Sequence, residues 1–166
     1  MAGDTWGWAG SISRFLATPD DVILDDLDAH HVRLWRAHAA GSQVGAWREA
    51  LRILREAMSS VVIADRAAAD QWSIVLEYEL PMEGGRRPDA VVLAGSSLVV
   101  IEFKSTALPS QADLDQVSAY TRDLTEYHQA SHDRPGWSVL VPCGAAPGLA
   151  AMKDGVIVTA SEGLAH

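Results

Sequence analysis

The segment GGRRPDAVVLAGSSLVVIEFKS, Gly84 to Ser105, decides the predicted fold. Two apolar runs flank Gly95-Ser96, and a Gly-X pair in this position predicts a two-residue β-hairpin loop. A turn centred on this pair places Asp89 opposite Glu102, with their side chains on one face of the hairpin. Two carboxylates so placed repel each other unless a cation lies between them. The same register pairs Leu93 with Leu98 and Val91 with Val100.

A lysine completes the charged group at this end of the hairpin. Lys104 projects from the same face as Glu102, because strand side chains alternate. Two carboxylates beside an amine fit a Mg²⁺ site, since this ion uses one or two carboxylates plus water and substrate phosphate oxygens. The metal would activate a water and offset charge on phosphorus, while the lysine orients the water or stabilises the pentacovalent phosphate. The alternative is a structural ion cluster in which Lys104 only neutralises the acids.

Composition predicts one globular domain over residues 1–166. The chain is 48% hydrophobic and 21% charged, and its formal net charge of -9 has the wrong sign for a nucleic-acid binder that relies on bulk attraction. Cys143 is the single cysteine, so no internal disulfide can form and a reducing compartment is favoured. With no signal-peptide pattern and no apolar run of about 20 residues, we expect a cytoplasmic protein and no membrane partner.

Two helices are predicted before the hairpin. Thr18 is suited to cap a helix that has Pro19 in its first turn and ends at Gly41. Ser42 is then suited to cap a second helix over about residues 43–59, whose apolar residues follow one stripe at helical spacing. That stripe consists of Val44, Trp47, Leu51, Leu54 and Met58.

The remaining elements complete an α/β arrangement. In residues 71–80, QWSIVLEYEL, apolar and polar residues alternate as they do in a strand. Ser110 and Asp113 form a capping-box pair for a helix that runs to about His128. WSVLVP (137–142) and GVIVTA (155–160) read as further strands, with a helical turn over Leu149–Lys153 between them. The order α-α-β-β-β-α-β-β predicts a mixed sheet in an α/β fold.

The spacing of these motifs resembles a known superfamily. Pro88-Asp89 followed by Glu102-Phe103-Lys104 resembles the PD-(D/E)XK signature of metal-dependent nucleases, and QVSAY (116–120) resembles the Q-x-x-x-Y element of its RecB-like branch. The stretch from residue 77 to 120 is similar to the nuclease-like domain that precedes a helicase domain in some bacterial proteins. The resemblance implies a restriction-endonuclease-like core, α-β-β-β-α-β with a mixed central sheet. This core covers about residues 43–142, with an N-terminal helical extension over 10–41.

The resemblance also implies a function. It implies a Mg²⁺- or Mn²⁺-dependent nuclease that hydrolyses phosphodiester bonds of DNA, with RNA not excluded, and that works with a helicase domain or subunit. The alternative is a catalytically inactive nuclease-fold module for docking nucleic acid or protein. The implied catalytic residues are Asp89, Glu102, Lys104, Gln116 and Tyr120, and the implied metal ligands are Asp89, Glu102 and the Phe103 backbone carbonyl.

The family usually contributes one further acid, for which the chain offers several candidates. Glu49 and Glu56 lie on the second predicted helix, with Glu49 nearer the edge of the apolar stripe. Glu79 is a rival, since it lies on the polar side of its predicted strand, close to the turn that leads to Asp89. We therefore expect Glu49 or Glu79 as an additional metal ligand and leave the choice open.

Arginines before the first motif acid are candidates for substrate contact. Arg86 and Arg87 could clamp a phosphate, or pair with Glu83 or Glu79 in the loop.

Other residues of nucleic-acid-binding type lie elsewhere in the chain. Arg48, Arg52 and Arg55 form one side of the second helix, which is either a phosphate guide or an ordinary solvated face. Trp6 and Trp8 could stack on bases or anchor the N-terminal arm on the core.

Overall fold

The computed structural model describes residues 5–80, 85–126, 132 and 134–165. Within these residues the chain forms an α/β fold with a seven-stranded mixed sheet in the order β1-β2-β3-β4-β5-β7-β6. The pairs β1–β2, β2–β3 and β3–β4 are antiparallel. The pairs β4–β5 and β5–β7 are parallel, and β6 is antiparallel to β7. The strands are β1 (Trp8–Ser11), β2 (Ser73–Leu76), β3 (Ala90–Ala94), β4 (Ser97–Lys104), β5 (Gly136–Pro142), β6 (Ala150–Lys153) and β7 (Val156–Thr159).

Helices cover both faces of the sheet. The described helices are α1 (Ile12–Ala17), α2 (Asp20–Trp35), α3 (Gly41–Ala64), α4 (Arg66–Ala69), α5 (Gln111–Glu126) and a C-terminal 3-10 helix (Ser161–Ala165). One core cluster joins α1, α2 and α3 to the sheet through residues such as Phe15, Leu51 and Ile101. A second cluster joins α5 to the other face through Val117, Leu98 and Val100. No described helix is both long enough and apolar enough to cross a bilayer.

The hairpin has the predicted register. Leu93 pairs with Leu98 and Val91 with Val100, and Gly95 has φ +60°, the positive φ that the first position of a Gly-X turn requires. The capping pair is also confirmed, because the Ser110 backbone N–H donates to Asp113 Oδ2 at 2.9 Å. Helix α5 is described as far as Glu126, so its predicted end near His128 lies outside the described residues.

The N-terminal helices differ from the prediction in their boundaries. Thr18 is the C-cap of α1, and its hydroxyl donates to the Arg14 carbonyl, so it does not cap α2. Helix α2 ends at Trp35, where Arg36 adopts a left-handed conformation (φ +58°). Gly41 instead begins α3, which extends to Ala64 because the apolar stripe continues beyond residue 59 through partly buried Val62.

Two other elements also differ from the prediction. The helical turn predicted over Leu149–Lys153 is wrong, because Ala150–Lys153 forms β6 and pairs with β7 across a turn with positive φ at Asp154 and Gly155. The strand predicted over residues 71–80 is shorter, because Glu77 has φ +52° and ends the extended conformation. Strand β1, formed by the N-terminal arm, is not predicted by the sequence pattern; Trp8 within it is buried against the core.

Candidate active site

The open end of the β3–β4 hairpin holds Asp89 against Glu102. The Phe103 backbone N–H donates to Asp89 Oδ2 at 2.7 Å, and the Asp89 backbone N–H donates to Glu102 Oε2 at 3.3 Å. Each carboxylate therefore accepts a hydrogen bond from the opposite chain segment. Both side chains are fixed by the hairpin backbone, in the opposed positions that the sequence predicts.

Lys104 connects these acids to α5. Its Nζ donates to Glu102 Oε1 at 3.1 Å and to Gln116 Oε1 at 2.8 Å. Gln116 Nε2 in turn donates to the Tyr120 hydroxyl at 2.8 Å, and Tyr120 is buried in the α5 core cluster. A continuous hydrogen-bonded chain therefore runs from the hairpin acids to a core tyrosine.

The pKa values of both acids are raised in the folded chain. Burial, followed by the negative charges of Glu102 and Glu77, raises the pKa of the Asp89 carboxyl well above its ordinary value. Burial also raises the pKa of Glu102, although the Lys104 ammonium opposes this shift. Partial burial acts to lower the pKa of Lys104, but the charge and hydrogen bond of Glu102 outweigh it and the pKa is raised. Lys104 is therefore a fixed ammonium at neutral pH.

A third acid, Glu77, lies in the interior next to this group. Its side chain is 6% exposed; its Oε1 accepts from Trp47 Nε1 at 2.9 Å, and its Oε2 accepts from Arg87 Nε at 2.7 Å. The Glu77 backbone N–H donates to the Asp89 carbonyl at 3.1 Å. Glu77 thus connects α3 and the end of β2 to the Pro88-Asp89 segment, which leads into the hairpin.

A cavity of about 200 Å³ opens beside the acids. Asp89, Glu102 and Lys104 form its polar side, together with Glu77. The opposite wall is largely apolar and comes from α2, α3 and β2. Its lining includes Leu27, Ala46, Trp47, Leu51, Leu54 and Leu76.

The donor set suits a hard divalent cation such as Mg²⁺ or Mn²⁺. Asp89 and Glu102 supply carboxylate oxygens, and Asp89 Oδ1 has no donor among the described residues. Burial is the main cause of the raised pKa of each acid, and the Lys104 ammonium opposes the shift in both. Across the described part of the chain, no group of three or more His, Cys, Asp or Glu side chains is arranged to hold a metal. A cation here would use the two carboxylates and complete its shell with water and a backbone carbonyl.

The two candidates for the further acid, Glu49 and Glu79, have other hydrogen-bond partners. Glu49 pairs with Arg52 on the outer side of α3, at 2.7 Å, and the Glu79 backbone N–H bonds to the Thr5 carbonyl. Neither is held by the hairpin network. The choice between them as an additional ligand stays a prediction.

The two arginines before Asp89 have different surroundings. Arg87 is largely buried: it pairs with Glu77 and stacks over the Trp35 ring at 5.7 Å. Arg86 is more exposed; it lies over the Tyr120 ring at 5.1 Å, with a guanidinium nitrogen 3.6 Å from Asp123. The alternative partner Glu83 lies outside the described residues. Of the two, Arg86 is the better placed to reach a substrate.

Sequence reasoning misses the roles of three residues of the site. The alternating pattern places Glu77 on the polar side of a regular strand, and the left-handed backbone that turns it inward has no signal in such a pattern. Helical spacing marks Trp47 only as a core residue, yet its indole N–H binds Glu77. Asp113 is predicted as a helix cap, and it does cap α5, but its Oδ1 also lies 3.6 Å from Lys104 Nζ.

Comparison with protein-family models, curated proteins and solved structures found no match for the chain.

Proposed function

We propose that this chain is a metal-dependent nuclease of the PD-(D/E)XK type that hydrolyses phosphodiester bonds of DNA. The observation that carries the proposal is the convergence of Asp89, Glu102 and Lys104 at one end of the hairpin, with Gln116 bonded to the lysine. These are the residues that the two sequence motifs contribute. The antiparallel β2–β4 segment, flanked by α3 and α5 and followed by parallel β5, supports a restriction-endonuclease-like core.

Lys104 acts in this proposal as a charged hydrogen-bond donor. Because its pKa is raised, it keeps its proton at neutral pH and does not serve as a general base. Glu102 and Gln116 hold the ammonium from two elements, so it is oriented before substrate arrives. A fixed positive charge stabilises the negative charge that develops on a phosphate oxygen in the transition state.

Asp89 and Glu102 would hold Mg²⁺ or Mn²⁺, with the Phe103 backbone carbonyl as a further ligand. When bound, the metal supplies an activated water and neutralises phosphate charge. The hairpin backbone fixes both carboxylates from opposite segments, so little reorganisation accompanies binding. Gln116 and Tyr120 position Lys104 through hydrogen bonds and packing.

The proposed setting is a cytoplasmic DNA-processing system. A net charge of -9 gives little long-range attraction to DNA. A helicase domain or subunit would deliver the strand and supply the affinity that this chain lacks. The lone Cys143 supports a reducing compartment, and burial raises the pKa of its thiol, which leaves it unreactive.

The experiment that tests the proposal is incubation of the chain with labelled single- and double-stranded DNA in Mg²⁺, Mn²⁺ or EDTA. We expect cleavage with either metal, none in EDTA, and none from the Glu102→Gln variant. RNA in a parallel reaction tests the nucleic-acid class. Cleavage that survives EDTA, or that persists in Glu102→Gln, contradicts the proposed site.

One feature favours a second candidate, a docking module without catalysis. Lys104 already pairs with Glu102, and the Phe103 N–H already satisfies one Asp89 oxygen, so the cluster is partly neutralised without metal. A module of this kind need not bind divalent ions. Calorimetric titration with Mn²⁺ separates the two candidates. If the chain is a nuclease, the wild type binds Mn²⁺ and Asp89→Ala does not.

A further inference from the structure

A second concave site lies on the other side of α2 from the acid cavity. It is a cleft of about 360 Å³ between the N-terminal arm and α2, and we call it the arginine cleft. Its volume falls in the range of about 300–1,000 Å³ that is typical of small-ligand pockets. Its lining residues are Trp6, Gly7, Trp8, Ala9, Arg14, Asp26, Ala29 and Arg33.

Arg14 is held in the arginine cleft by uncharged groups. Its guanidinium lies over the Trp8 ring at 5.5 Å, and Trp8 is itself buried edge-on against Phe15. A Cβ atom at Gly10 would lie 2.8 Å from Trp8 Cη2 and 3.0 Å from Arg14 Cδ, so a glycine is what allows this packing. The indole orients the guanidinium without cancelling its charge.

Arg33 is held in a similar way. Its Nη2 lies 3.0 Å from Nδ1 of His30, a buried residue on the same helix. Burial, together with the positive charge of Arg33, lowers the pKa of His30 to about 4, so the imidazole is neutral and Nδ1 can accept the hydrogen bond. Among the described residues, neither Arg14 nor Arg33 forms an ion pair with a carboxylate.

Two oriented, unneutralised guanidiniums are unusual in a chain with 22 acidic and 13 basic residues. Guanidiniums bind phosphate through paired N–H donors, and the partly exposed aromatic side chain of Trp6 lines the same cleft. A phosphate attached to a flat base satisfies both features. Asp26 is the one acid among the described residues that line the cleft, which leaves a net positive charge and an acceptor for a base amino group.

We infer that the arginine cleft binds a nucleotide unit, with its phosphate on Arg14 and Arg33 and its base against Trp6. The unit belongs either to an unpaired nucleic-acid strand or to a free mononucleotide. A base within a duplex is stacked between its neighbours and cannot lie against the indole. The inference does not depend on the proposed nuclease activity, because the cleft and the acid cavity share no described lining residue.

The two sites are nevertheless adjacent. The Gly7 backbone N–H donates to the Leu76 carbonyl at 2.9 Å, and a Cβ atom at Gly7 would lie 2.5 Å from Leu27 Cδ2. Gly7 lines the arginine cleft, while Leu27 and Leu76 line the acid cavity. One layer of residues therefore separates a basic binding site from the acidic one.

The test measures binding in EDTA at low salt, so that cleavage plays no part. A short fluorescein-labelled oligothymidylate and a labelled mononucleotide are titrated by anisotropy with the wild-type chain and the variants Arg14→Ala/Arg33→Ala and Trp6→Ala. The charge-matched control is Arg66→Ala/Arg122→Ala, which removes two exposed arginines outside the cleft. Circular dichroism and a denaturant midpoint check that each variant is folded.

We expect Arg14→Ala/Arg33→Ala to weaken binding by about tenfold or more, and the control to change it little. Strand binding by this variant should also depend less on salt. The slope of the logarithm of the binding constant against the logarithm of the salt concentration should become shallower by about 0.7 for each phosphate that the variant no longer binds. Weakening with the oligonucleotide alone identifies a strand site, and weakening with both probes identifies a mononucleotide site. Equal weakening in the cleft and control variants, or no binding of either probe to the wild type, would overturn the inference. A duplex that binds as well as the single strand would overturn it too.

Discussion

Lys104 Nζ lies 2.8 Å from Gln116 Oε1, so the ammonium at the end of β4 is fixed by a residue of α5. The same nitrogen bonds Glu102 at 3.1 Å on its own strand. A lysine held from two elements loses the rotamer freedom that a surface lysine keeps. The helix thereby controls the position of the ammonium in the candidate active site.

Replacing this lysine should separate catalysis from metal binding. In Lys104→Ala we expect cleavage to be abolished while Mn²⁺ binding persists, because an ammonium is not a metal ligand. Asp89→Ala should lose both. Cleavage assays and calorimetry on the same preparations measure the two properties, and the exposed Lys153→Ala provides the matched control. Equal Mn²⁺ affinity in wild type and Asp89→Ala would show that the metal site is wrongly assigned.

The two residues of α5 should differ in what they contribute. Gln116→Ala removes the hydrogen bonds to Lys104 and Tyr120, so activity should weaken with little loss of stability. Tyr120→Ala empties a buried position and should lower the free energy of unfolding by about 3 kcal/mol. Urea unfolding and cleavage rates check both. Full activity of Gln116→Ala on every substrate would remove the RecB-like part of the proposal.

The buried pair Glu77–Arg87 should matter far more for stability than an exposed pair. Arg87→Ala leaves the buried Glu77 carboxylate with Trp47 as its remaining described side-chain donor. This change should lower the free energy of unfolding by about 3–5 kcal/mol. The exposed pair Arg52–Glu49 provides the comparison. Arg52→Ala should lower the free energy of unfolding by no more than about 1 kcal/mol. Denaturant unfolding measures both. Similar losses in the two variants would mean that Glu77 is reached by water.

Stability should fall with rising pH because of Asp89. Burial and the charges of Glu102 and Glu77 raise its pKa above 3.8 in the folded chain, so the folded chain binds the proton more tightly than the unfolded chain. The free energy of unfolding therefore decreases as pH rises from about 4 through the folded-state pKa, by at most about 1.4 kcal/mol per pH unit for this group. Asp89→Asn should be the more stable protein at neutral pH in EDTA. Parallel pH profiles for variant and wild type would contradict the shift.

The isolated chain should bind DNA weakly. Few basic residues can displace counterions, and the net charge of -9 opposes approach. We expect affinity at near-physiological salt to improve when Ca²⁺ replaces EDTA, since a divalent ion reverses the local charge at the acids without requiring cleavage. Filter binding or anisotropy provides the comparison. Nanomolar affinity in EDTA would contradict this expectation.

Local patterns predict the hairpin and its charged end well. Register follows from a two-residue turn, so placing Gly95-Ser96 is enough to bring Asp89 opposite Glu102. The position of α5 follows from its capping pair, and the buried face of α3 from helical spacing. These features depend on residues that lie near each other in the chain, and a sequence displays such patterns directly.

Features set by distant contacts cannot be predicted in this way. The short β1 strand exists because β2 offers it an edge, and its own sequence, WAGS, has weak strand character. The inward position of Glu77 depends on partners 30 residues before it and 10 after it. Helix α2 stops at Trp35 with no glycine at its end, so the predicted stop at Gly41 is misplaced.

The topology of the N-terminal arm also constrains the order in which the molecule assembles. Strand β1 pairs with β2 across 62 positions of the chain, from Ser11 to Ser73, whereas the hairpin closes through a loop of two residues. Closing the longer loop costs more chain entropy, so we expect the arm to dock after the hairpin has formed. As a short strand at the edge of the sheet, β1 should also open more readily, so its amide protons should exchange with solvent sooner than those of β3 and β4. The arginine cleft consequently exists only in molecules in which the N-terminal arm has docked, because four of its lining residues belong to that arm.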